Sequence, residues 1–358
     1  MSDLTAYFSD HRRRNLAILA AAALACLLLA FFAIRLQEAE LGHKFAAQPF
    51  FPGLADQARN AARIHIVSNK GSFDVARGKG DNWILPQRAN FPASFDQVQK
   101  TLVGLAALET IEPKTARPDW FHFVDLDPPP KGNGTLIEVR DATGHELASV
   151  IFGAIEDIGD PGGATGLFAR KPSDSQSWLV RSVIEPKGDP SDWMDKAFLN
   201  VDRARIQEVD VTPASGPSYV VRRDKAGDPD FKLVPVPGGR ELSNEAAADG
   251  VASALTGFTF DDARPASQFD FAKSSRHVTK TFDGLTVTAR VIQSGSDYWA
   301  QLTAQAASTN PDAATEAHDI NAHGAAWVYK LPTYKGQQFM VTRESLLKPT
   351  GATAKTDQ

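Results

Sequence analysis

Three stretches bring together residue types that chemistry uses. Residues 159–166, GDPGGATG, form the richest loop. A phosphate cradle closes on Lys-Ser/Thr and opens a helix. This loop does neither and runs into GLFAR, a predicted strand, so a turn or hairpin tip is expected. His318 and His323, with Asp319 between them, suggest a metal. A spacing of five puts them on different faces of a helix, and zinc sites use tighter spacings with a third ligand nearby. The surrounding ASTNPDAATEAHDINAHG reads as a polar loop. Asp125 and Asp127, in VDLDPPP, are a carboxylate pair that acid–base work or calcium would use. Calcium loops carry more oxygen ligands and a fixed glycine, so a solvated turn entering a strand is expected.

Nucleophilic hydrolysis finds no local support: serines are plentiful, but no G-x-S-x-G is present. The six tryptophans (Trp83, Trp120, Trp178, Trp193, Trp299 and Trp327) raise the question of a binding groove. Trp178 and Trp327 lie in apolar strands, WLVRSV and WVYKLP, where core packing is expected. Trp120, beside Phe121 and Phe123 in RPDWFHF, is the candidate exposed patch, and these three form the candidate interaction surface. No residue is assigned to catalysis, cofactor or metal, and no cofactor is expected.

The elements that hold these residues follow one pattern used twice. ARIHIV, from residue 62, is echoed by ARIQEV, from residue 204. Strand pairs with the turns GKGDN and DKAGDPD come next, as hairpin chemistry predicts. Ser94 and Ser243, and Trp178 and Trp327, recur at the same offset of 149. Ser94 with Gln97 makes a capping box, and Phe95, Val98, Leu102, Leu105 and Leu108 draw one apolar stripe. A weaker helix after Ser243 carries Val251, Leu255 and Phe258. Hairpins are predicted around DATGH and Asp283-Gly284, and short helices over 190–199 and 342–347.

Ahead of these elements, residues 15–34, NLAILAAAALACLLLAFFAI, hold no charge, proline or glycine. At 1.5 Å per residue they span roughly 30 Å, a bilayer core. His11, Arg12, Arg13 and Arg14 precede them and should stay cytoplasmic. Bulky Phe31, Phe32 and Ile34 argue against signal cleavage, and Ala23-Leu24-Ala25 before Cys26 is a poor lipobox. Cys26 is the one cysteine, so the remainder uses no disulfides. The first 35 residues carry +2 of a net −5, leaving −7 for the exported part. That balance disfavours nucleic acid and anionic lipid. The expected organisation is a cytoplasmic tail (1–14), a transmembrane helix (15–34), a juxtamembrane stalk (35–61), two repeats (62–203 and 204–348) and a polar tail (349–358).

Trp83 in a short strand, then Asn90-Phe91-Pro92-Ala93-Ser94, then the helix with VGLAALETIEPKTARP, resemble the domain-of-unknown-function family 4340. The later WLVRSV and DPSDWMDKAFLNVDRARIQEVDV are similar to its second block. The resemblance covers residues 45–215 well and the second repeat loosely, where Phe231 replaces the strand tryptophan. It implies a single-pass envelope protein of the bacterial inner membrane, N-terminus cytoplasmic and C-terminal domain periplasmic. It also implies an accessory component encoded beside ABC transporters of the gliding-motility type. No catalytic residue comes with it.

The fold class expected is α+β: a transmembrane helix, then two similar repeats, each an antiparallel sheet packed with one main and one short helix. The function expected is a non-enzymatic accessory or scaffolding subunit of an envelope transport complex. Its partners are the membrane and transport-complex subunits, not nucleic acid. The alternative is an extracytoplasmic module that binds or senses a glycan, lipid or peptide in a pocket between the repeats, lined by Trp120 and Phe121. An envelope hydrolase would need a nucleophile–base pair in a cleft.

Overall fold

The computed structural model describes residues 47–307, 310–324 and 326–349, with isolated helical positions inside 15–30. Most of the expected anchor at 15–34, the upstream tail, the start of the stalk and the tail beyond 349 lie outside the described residues. Among those described, no helix is long and apolar enough to cross a membrane.

Alternating apolar and polar residues build strands with one buried face. The first ten are β1 (Gln48–Pro49), β2 (Ala61–Ser68), β3 (Gly71–Arg77), β4 (Trp83–Leu85), β5 (Phe91–Pro92), β6 (Glu109–Pro113), β7 (Thr135–Asp141), β8 (Glu146–Glu156), β9 (Thr165–Arg170) and β10 (Trp178–Ser182). They form a sheet in the order β1-β6-β10-β9-β8-β7-β2-β3-β4-β5. Eight more follow: β11 (Ile206–Thr212), β12 (Tyr219–Arg222), β13 (Lys232–Val234), β14 (Asp262–Pro265), β15 (Ser275–Thr281), β16 (Leu285–Ser294), β17 (Asp297–Ala306) and β18 (Trp327–Leu331). Their order is β13-β12-β11-β15-β16-β17-β18-β14. The described residues are thus mostly β, in two antiparallel sheets with a few helices.

Without β1 and β5, the first sheet follows the same path as the second, from β6 or β14 at one edge to β4 or β13 at the other. Trp178 stands opposite Pro113, and Trp327 opposite Pro265. Ser94 N–H donates to Trp193 C=O, and Ser243 N–H to Leu346 C=O. The register corrects one sequence pairing. A bulge separates Ala61↔Asp141 from Arg63↔Arg140, and another separates Ile206↔Thr281 from Glu208↔Lys280. This aligns Ile64 with Val209, not with Ile206, because cross-strand partners rather than letter similarity set the equivalence.

The helices depart further from expectation. After α1 (Leu54–Gln57) comes α2 (Phe95–Ala106), where the Ser94 hydroxyl accepts from Gln97 N–H as predicted. The Gln97 amide turns to Thr101 instead of closing the box. Phe95, placed on the apolar stripe by spacing, is exposed, while Val98, Leu105 and Leu108 are buried. The second-repeat helix shrinks to α3 (Asp249–Ala252), although Val251, Leu255 and Phe258 are buried. Gly257 adopts φ +57° just beyond it, a conformation that ends a helix.

The main helix of the second sheet is instead α4 (Pro311–Gly324), where a polar loop was expected. Asn310 caps it, accepting from Asp312 and Ala313 N–H. Ala313, Ala317, Ile320 and Gly324 face inward on a helical period, a stripe too small in side-chain volume to stand out in hydropathy. Residues 190–199 form only a 3-10 turn, Pro190–Trp193. The stretch near 342–347 is a 3-10 turn, Glu344–Leu346, preceded by α5 (Thr333–Gln338).

One continuous apolar core joins both sheets, and Phe50, Phe51 and Leu54 belong to it. Packing therefore begins ahead of residue 62. Smaller apolar clusters sit apart from it, Phe121 with Leu126 and Ile151, and Phe271 with Trp299 and Val328.

Candidate functional site

The three residues of the candidate surface lie on one 3-10 segment, Pro118–Val124, started by Pro118. The structure separates them. Phe121 is buried, with Arg170 Cζ 4.6 Å from its ring centroid. Trp120 is 48% exposed and Phe123 73% exposed. A 3-10 helix repeats every three residues, so Arg117, Trp120 and Phe123 form one outward stripe. Arg117 Cζ lies 4.8 Å from the Trp120 ring centroid, and the His122 and Phe123 rings are 3.8 Å apart.

The turn is held firmly. Buried Arg170 donates from Nε to Leu126 C=O and from Nη1 to the carbonyls of Lys171 and Pro172. Desolvation lowers the pKa of this guanidinium. Leu126 N–H returns to Phe121 C=O. At Gly153 in β8 a Cβ would collide with the Val124 carbonyl, so glycine lets the turn sit on the strand.

Between the sheets the aromatic side chains are Phe91, Phe198, Phe258, Phe260, Trp327 and Tyr329, packed ring to ring, with centroids 4.8 Å apart for Phe260 and Tyr329. They fill the seam. Burial pushes the Tyr329 hydroxyl pKa up, and that hydroxyl donates to His323 C=O. Arg88 and Asp262 pair across the seam at 2.6 Å. The open cleft beside it is lined by Lys70, Arg88, Asp189, Asp262, Arg264 and Lys330. Each of those cations has a carboxylate partner. The pocket expected around Trp120 and Phe121 between the repeats is not formed: Phe121 sits over Arg170 in a separate cluster, and Trp120 faces outward against Arg117.

The other sequence candidates resolve into turns and packing. In the glycine loop, Gly159 and Gly162 N–H donate to Asp157 and Asp160, so the amides a phosphate would need are occupied. His318 is exposed on α4, whereas the His323 ring stacks on Phe198 at 4.7 Å. Among the described residues no group of three or more metal-capable side chains occurs. Asp125 caps the 3-10 turn and accepts from Asn133. Five tryptophans are buried or half-buried, and Trp120 is the exposed one.

Ser345-Leu346-Leu347-Lys348 has the Ser-x-x-Lys spacing, which sequence reading passed over. Ser345 donates to Thr342 C=O, and Lys348 Nζ binds Glu241 at 2.6 Å, so the two do not form a dyad. His65 Nδ1 meets Asp74 at 2.8 Å, beside Gln87. Also unforeseen is His277, fully buried in β15 at the position matched by Ile137 in β7. Its Nε2 lies 3.1 Å from Phe339 C=O, and its Nδ1 has no partner. Burial lowers its pKa to about 4.

No curated protein and no solved structure matches the chain. A family model does, over residues 83–273, more than half the chain. It runs from β4 through the outward aromatic turn and most of the seam into the second sheet. The chain belongs to the family described as domain of unknown function DUF4340.

Proposed function

We propose that this chain is a non-enzymatic, membrane-anchored accessory or scaffolding subunit of an envelope transport complex of the ABC type, with its folded part in the periplasm. The filled seam is the observation that carries this reading. A shared strand order, a shared bulge and the Trp–Pro pairing speak for one unit used twice, and ring-to-ring packing welds the copies into a single body. Broad, rigid surfaces suit holding partners in place. A sensing module or hydrolase would instead need an open cleft where Phe91, Phe260 and Tyr329 now pack. Anchoring rests on residues 15–34, and the transporter link on the family resemblance.

Mild-detergent purification of the full chain from its native membranes tests the proposal. Transporter subunits should co-purify in fixed proportion. Recovery of the chain alone would sink it. Replacing residues 15–34 with an unrelated apolar helix separates a tether, which leaves the complex intact, from an anchor that packs against partner helices through its alanines.

A further inference from the structure

The outward stripe of Arg117, Trp120 and Phe123 lies at the end of the first sheet where the chain arrives from the predicted anchor. Gln48 pairs with Thr110 in antiparallel register. Strand β1 thus begins at the end of the first sheet toward which β6 runs on to Pro113, and Arg117 follows four residues later. The two features are also linked through β9. Arg170 lies under Phe121, and the next residue, Lys171, sits with Nζ 5.8 Å from the Phe50 and Phe51 rings. Thirteen residues separate Ile34 from Gln48. Fully extended, the steps from Ile34 to Gln48 reach at most about 50 Å, so this end of the domain is held within that distance of the bilayer.

We propose that the turn carrying Trp120 and Phe123 is a lipid-contact element that docks on the headgroup–acyl boundary of the bilayer. This rests on the reading of residues 15–34 as an anchor and deepens it. The chemistry fits that occupant. Tryptophan concentrates at membrane interfaces, where its ring is apolar and its N–H stays wet. Arg117 lies against the Trp120 ring with its charge paired to the exposed Asp119 at 3.6 Å, so the stripe presents a neutralised pair rather than a free charge beside the rings. The exported part carries −7, so contact through zwitterionic lipid and apolar insertion is favoured over attraction to anionic headgroups. Two aromatic side chains suffice because the tether makes the contact intramolecular. Arg170 and Gly153 fix the backbone of this turn on the sheet, so docking through it would set the pose of the whole domain.

The test uses the full chain reconstituted into phosphatidylcholine vesicles with plain or brominated acyl chains, bromine being a short-range quencher of indole emission. Comparing the parent with Trp120→Phe isolates the Trp120 component, and flotation reports whether the chain is vesicle-bound. The expected result is a roughly twofold or greater loss of the Trp120 component in brominated vesicles, with shielding from aqueous iodide. A chain that floats while Trp120 is equally bright in both vesicles and open to iodide overturns the lipid contact alone. A chain that fails to float overturns the anchor reading and this proposal with it. Phe123→Glu should restore iodide access to Trp120 without releasing the chain from the vesicles.

Discussion

The Trp327 indole Nε1 donates to the Arg88 carbonyl at 3.0 Å, joining residues 239 positions apart across the two sheets. Arg88 itself reaches Asp262 from the same turn. Trp178, the counterpart of Trp327 in the first sheet, stands in the same register opposite a proline. The position recurs in both sheets, and in the second it reaches across the seam to the first.

Trp327→Phe keeps an aromatic ring but removes the donor and part of the indole packed on Phe91. It should cost at least about 1 kcal/mol, the usual net worth of such a hydrogen bond, plus the lost packing. Because one core runs through both sheets, urea unfolding followed by near-UV circular dichroism and by far-UV circular dichroism should show a single coincident transition in parent and variant. Two separated transitions in the parent would refute the welded body.

Gly104 separates helix propensity from packing. In an isolated helix Gly→Ala stabilises by about 1 kcal/mol. Here a Cβ would overlap Ile184 Cγ2, so Gly104→Ala should destabilise by about 1–3 kcal/mol. The double variant with Ile184→Ala should recover part of that loss, read as the interaction energy of a double-mutant cycle.

His277 predicts acid sensitivity. Its folded pKa is about 4, below the ordinary value of 6.5 in the unfolded chain. Between those values the unfolded chain takes up a proton that the folded chain refuses, so stability falls as pH drops. The contribution is fully present above pH 6.5 and lost by pH 4, on the order of 3 kcal/mol in all. Denaturant titrations across that window should show this slope, and His277→Leu should remove it whatever it does to stability at neutral pH.

Arg170→Met should release the aromatic turn by taking away the donors to Leu126, Lys171 and Pro172, at roughly 2–4 kcal/mol. Arg170→Lys should rescue little, because an ammonium cannot fork to those carbonyls. Limited proteolysis should then cut near residues 117–126 first. Unchanged protection there would show that Phe121 alone seats the turn.

Local signals were legible in the sequence because local physics produces them. Ser94 capping and the hairpins at DATGH and Asp283-Gly284 each depend on neighbours in the chain. Tertiary structure decided which side of each element is covered. Phe121 and Phe123 differ in burial although they are two residues apart, because Arg170 and β8 cover one ring while the other meets only its neighbour His122. Helix α4 read as a polar loop because its buried stripe is mostly alanine and glycine, whose value comes from letting Leu302 and Ala304 of β17 approach. The seam was invisible for the same reason: Phe91, Phe198, Phe260 and Tyr329 look like ordinary apolar residues until two surfaces far apart in the chain are brought face to face.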